Sequence, residues 1–132
     1  MNTKTLMVAS SIFLGLFGLI ALFVPEELLK MLSLPFTSPL PVLIQLLGAL
    51  YLSFALMNWT AKDNIIGGVY LRPISIANFS HFMIGALTFL NNQFSNGANI
   101  YLLVISIVYV VFAIIFTWLV FFHTGIQKPA AN

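Results

Sequence analysis

The chain has 132 residues, 61% of them hydrophobic and only 6% charged, with a mean hydropathy of +1.05; soluble domains carry about 25% charge, so water is excluded as the main solvent. Five basic residues against three acidic ones give a formal charge of +2, scattered along the chain and not gathered into a stripe, which argues against a nucleic-acid partner. There is no cysteine, which excludes disulfide exchange, iron–sulfur clusters and thiolate metal sites.

Four apolar runs follow one another at residues 5–24, 41–59, 69–90 and 99–123. At about 1.5 Å rise per residue, roughly 20 residues cross a ~30 Å hydrocarbon core. The spacing therefore predicts an all-α integral membrane protein, a four-helix transmembrane bundle that forms one domain over residues 1–132. Lys4 precedes the first run as in a signal peptide, but the run exceeds the about 7–15 residues of a signal core and has no small-residue cleavage site before Pro25. A span is expected there.

Pro25 ends the first run. Glu26, Glu27 and Lys30 beside Leu28, Leu29, Met31 and Leu32 suit either a short helix lying at the membrane interface or a plain connecting turn. Pro39 and Pro41 stand at the start of the second run and Pro73 near the start of the third, where a missing N–H is harmless. Asn91, Asn92, Gln93, Ser95, Asn96 and Gly97 form a polar turn before the fourth, and a short tail begins near Gln127.

Basic residues mark cytoplasmic loops, whereas acidic residues contribute little. Lys4, Lys62, Arg72 and Lys128 fall on one side of a four-span arrangement and only Lys30 on the other, so both termini are expected in the cytoplasm. Trp59, Tyr70 and Trp118 near that interface, and Tyr101 near the other, suit aromatic anchors.

Polar side chains inside a membrane are costly, so those within the runs carry most of the functional information. Steps of 100° per residue place Ala77, Asn78, His81, Gly85 and Thr88 on one face of the third run, flanked by Ser75. Gln45, Gly48, Ala49, Leu52, Ala55, Leu56 and Trp59 share a face of the second. Ser106, Tyr109, Ala113 and Thr117 do so on the fourth, and Ser11, Gly15, Gly18 and Leu22 on the first. Two readings of these seams stand side by side. Small residues let backbones approach while Gln45, Asn78, His81, Ser106 and Tyr109 hydrogen-bond between helices. Alternatively, Asn78 and His81 face Gln45 or Tyr109 across an apolar pocket for a lipid-like molecule.

No cofactor is expected. A haem held by two histidines of one chain needs both at matching depth, yet His81 lies near mid-membrane and His123 at the end of the fourth run. Glu26, Glu27 and Asp63 all lie in connections, so no carboxylate is available inside a span to bind a metal or couple ion transport. Arg72 and Lys62 are expected to snorkel and set topology, and are also candidates to hold an anionic lipid headgroup.

The pattern of Gly15, Gly18, Phe23, Pro25 and Glu26, then Gly48, Asn58, Trp59, Thr60 and Lys62, then Arg72, Ala77, Asn78 and His81 resembles small four-helix membrane proteins common in bacteria. The resemblance covers about two-thirds of the chain and implies a bacterial inner-membrane origin and the four-span plan, but no activity. It points to Glu26, Gly48, Asn58, Trp59, Arg72, Asn78 and His81.

The function expected from these features is binding of a lipid-like small molecule, or accessory scaffolding, within the inner membrane and without catalysis. The candidate ligand contacts are Gln45, Asn58, Trp59, Ser75, Asn78, His81 and Tyr109. Membrane lipids are the expected partners, with a second copy of the chain or another membrane protein as candidate protein partners. An oligomeric transporter or channel is the alternative, and a membrane enzyme using His81 comes third.

Overall fold

Long apolar runs bounded by proline and asparagine become long helices. The computed structural model describes residues 3–63, 71–96 and 99–122. Among them there are five helices and no strand: α1 (Thr3–Phe23), α2 (Pro25–Met31), α3 (Leu40–Ala61), α4 (Leu71–Asn96) and α5 (Ile100–Phe122). Four of these, α1, α3, α4 and α5, are long and apolar enough to span a membrane, as in a multi-pass membrane protein. His123, Gln127 and Lys128 lie outside the described residues, as does Tyr70.

Most ends follow local chemistry, but α4 continues through Asn91, Asn92, Gln93 and Ser95, where the sequence predicts a polar turn, as far as Asn96. Pro25 opens α2 and Pro41 sits in the first turn of α3, positions whose N–H has no intrahelical partner in any case. Asn99 caps α5: its Oδ1 accepts the backbone N–H of Tyr101 at 2.9 Å and of Leu102 at 3.4 Å. The connection after α1 is a helix and not a plain turn, so the first of the two sequence readings holds for its secondary structure. α2 ends in a tight cap, with Leu34 N–H bonding Leu29 O at 2.9 Å and Ser33 N–H bonding Lys30 O at 3.0 Å. That cap requires a left-handed residue, and Ser33 supplies it at φ 55°.

The chain divides into two compact units, Met1–Asp63 and Asn64–Asn132. In the first, α1 and α3 run antiparallel in close contact. Gln45 Nε2 donates to Leu22 O at 3.2 Å at one end, and Lys4 pairs with Asp63 at 2.6 Å at the other. Between these ends the seam is built of small residues. A Cβ on Gly18 would lie 2.8 Å from Leu52 N, and one on Gly48 would lie 2.8 Å from Leu22 N, so the two backbones touch. Without a hydrophobic force to drive helices together in lipid, such close approach supplies the packing that holds them.

The second unit is zipped differently. α4 and α5 are also antiparallel, but large rings fill the seam: Phe82 stacks on Phe112 at 4.7 Å and on Phe116 at 5.6 Å, and Phe89 meets Tyr109 edge-on at 5.1 Å. Gly85 makes room for the Tyr109 ring, into which any Cβ would project. Offset and edge-to-face rings at these distances add to the packing energy.

Candidate functional site

Within the first unit the polar side chains are used between helices. Ser11 Oγ donates to Ala55 O at 2.7 Å, and Asn58 Nδ2 donates to Ser10 Oγ at 3.0 Å, which in turn donates to Met7 O at 3.1 Å. Ser10 and Asn58 are fully buried. This polar relay replaces an amide's water partners with protein ones, as burial in an apolar medium demands. Asn58 thus belongs to the α1–α3 seam.

Trp59, which the helical projection put on that seam, instead points outward, as do Leu56 and Ala49, while Gln45, though exposed, reaches Leu22 of α1. At that level the inward place on α3 is taken by Asn58, bonded to Ser10. Trp59 stacks with its own neighbour instead: Lys62 Nζ sits 4.1 Å from the ring centroid and donates to Trp59 O at 3.2 Å. Lys62 also lies 3.7 Å from Asp63, which bridges it to Lys4. The Lys4 hydrogen bond holds the Asp63 carboxyl below the usual carboxylate range, with desolvation opposing and the charges of Lys4 and Lys62 assisting. Gln45 and Asn58 lie roughly 20 Å apart along α3 at about 1.5 Å per residue, so they do not gather at one place.

In the second unit the structure brings two candidates together. His81 Nε2 and Tyr109 Oη are 3.2 Å apart, with the rings tilted at 5.6 Å. Tyr109 is only 1% exposed and His81 half-buried, and both stand in the wall of rings formed by Phe82, Phe89 and Phe112. Ser75 and Asn78 are buried on the same helix, where Ser75 Oγ bonds Leu71 O at 2.9 Å and Asn78 Nδ2 bonds Ile74 O at 2.9 Å. Such bonds to the preceding turn give each of these polar groups a partner within α4. Arg72 is exposed near the start of α4. Compared with protein-family models, curated proteins and solved structures, the chain matches none.

The buried row of α4 runs through Leu71, Ser75, Asn78, Phe82 and Ala86, centred about one residue round from the projected face of Ala77, Asn78, His81, Gly85 and Thr88, with Asn78 and the flanking Ser75 common to both. Thr88 is exposed and satisfies its hydroxyl on Ile84 O at 2.8 Å. On α5 Ser106, Tyr109 and Ala113 are buried as expected, but the row continues through Phe116 and Leu119, with Thr117 beside it. Phe82 and Ser10 were missed. A phenylalanine in a span gives no polar signal, and Ser10 looks like any small residue until Asn58 stands opposite. No group of histidine and carboxylate side chains able to hold a metal occurs among the described residues.

Proposed function

We propose that the protein is an accessory component of the bacterial inner membrane, without catalysis, with four spans and both termini in the cytoplasm, which binds a lipid-like molecule at His81. The observation that carries this reading is the 3.2 Å contact between the His81 imidazole and the buried Tyr109 hydroxyl. Tyr109 orients the ring while His81 stays partly exposed among aromatic walls, and such a surface offers one polar contact in apolar surroundings. A hydroxyl or carbonyl of a lipid-like molecule matches it. Lys4 and Lys62 share one end of the first unit and Lys30 lies at the other, which supports the cytoplasmic placement of the first end by the positive-inside rule.

Scaffolding is favoured as a second reading by the polar groups of the first unit, which α1 and α3 use on one another. Native mass spectrometry of the gently extracted protein separates the two. A discrete small molecule retained by the wild type and lost from His81→Leu, with the protein otherwise intact, is the expected result. A bare chain in both leaves scaffolding.

A further inference from the structure

The connection between α1 and α3 is far longer than closing that hairpin needs. Leu22 and Gln45 are bonded at 3.2 Å, and helices this close are ordinarily joined by about 2–8 residues. Residues 24–39 instead build α2, its cap and a coil.

α2 has two faces. Pro25 and Leu29 are buried. Glu26, Glu27 and Lys30 are exposed on a second face, where Lys30 pairs with Glu27 at 2.7 Å. Met31, one turn on from Glu27, lies at the edge of that exposed side and is apolar. The chain on either side continues that apolar surface: Phe23 is 73% exposed, Phe36 is 62% exposed, and Val24 and Leu34 are open as well. Phe23 is also the last residue of α1, whose Leu16, Leu19 and Ile20 form an exposed apolar flank, so the patch is continuous with the lipid-facing side of a span. A surface that joins apolar side chains to a charged face at the end of a span matches the boundary between headgroups and acyl chains.

We infer that residues 23–36 form a wedge seated in one leaflet of the bilayer, with Phe23, Met31, Leu34 and Phe36 in the acyl boundary and Glu26, Glu27 and Lys30 among the headgroups. The occupant of this surface is lipid. The Lys30–Glu27 pair cancels the one basic charge, and Glu26 leaves the segment net acidic, so the attachment is apolar and independent of anionic lipid. The inference rests on the four-span reading of the chain.

The test uses the full chain with Trp59→Phe and Trp118→Phe, carrying one reporter, Phe36→Trp, in phosphatidylcholine vesicles. A second protein carries Leu50→Trp, a lipid-facing position of α3, as the reporter of insertion. Lipid brominated near the headgroup end of its acyl chains is expected to remove about half of the indole emission from position 36, with acrylamide quenching several-fold weaker than for free tryptophan, at the depth expected of an interfacial helix. Neither value changes on adding phosphatidylglycerol or salt. Free acrylamide access at position 36 without bromolipid quenching, while position 50 is quenched by deeply brominated lipid, overturns the wedge. Quenching at position 36 that appears only with phosphatidylglycerol overturns its apolar basis. Failure at position 50 as well overturns the four-span reading and the wedge with it.

Discussion

Gly18 and Gly48 meet backbone to backbone, each placed so that a Cβ on one would lie 2.9 Å from the other's carbonyl oxygen. Because the obstacle is backbone on both sides, neither helix can yield by rotating a side chain. Gly18→Ala and Gly48→Ala are each expected to lower stability by about 1–3 kcal/mol, the usual range for overpacking. The double variant should cost less than the two singles together, since one displacement of α1 from α3 relieves both clashes. Unfolding in mixed detergent, read by circular dichroism, measures all three, and strict additivity would count against a shared crossing.

Ser33 holds a left-handed conformation at φ 55° so that α2 can end in its cap. Glycine adopts that conformation without the Cβ strain. Ser33→Gly is expected to stabilise the first unit by about 0.5–1 kcal/mol, and Ser33→Val to destabilise it by more. Thermal melts in one detergent check the order glycine above serine above valine.

Tyr109→Phe removes the hydroxyl that meets His81 but keeps the ring that Phe82 and Phe89 pack against. A loss of about 0.6–1.7 kcal/mol is expected, as for polar contacts between membrane helices. Gly85→Ala should cost more, about 1–3 kcal/mol, because it drives the ring itself from its seat. A double-mutant cycle of His81→Leu with Tyr109→Phe checks the pair: zero coupling would mean that the hydroxyl and imidazole do not act together.

The Asp63 carboxyl is pulled below its ordinary range chiefly by the hydrogen bond from Lys4. A depressed folded-state value means that the contact favours the fold above the unfolded pKa and is lost as pH falls through the folded one. Both partners are largely exposed, at 58% and 60% of their side chains, so solvent screening keeps the effect on stability small. The clear readout is the carbon-13 titration of the Asp63 carboxyl, whose midpoint should rise in Lys4→Met. An unchanged midpoint would assign the depression elsewhere.

Much of the candidate site was legible one helix at a time. The small residues at 11, 15, 18 and 48 mark where α1 and α3 approach, and His81 and Tyr109 were both picked out as polar groups too costly to leave in lipid. The errors came where helical projection had to choose between neighbours. Asn58 and Trp59 differ by one step round α3, and nothing local decides which turns inward. The opposing surface decides: Ser10 stands where it accepts the amide. Phe82 displaced His81 from the centre of the α4 face for the same reason, because Phe112 and Phe116 offer it stacking partners.

By itself the sequence determined the solvent, the number of long apolar helices and most of their limits, the end of α4 excepted, since hydropathy and the positions of proline act locally along the chain. Only the tertiary structure decided how each antiparallel pair is held, by backbone contact between α1 and α3 and by stacked rings between α4 and α5. It alone decided that Asn58 bonds Ser10 and that Tyr109 bonds His81. Those are relations between residues far apart in the chain, and they come into being when two helices choose their register and rotation together.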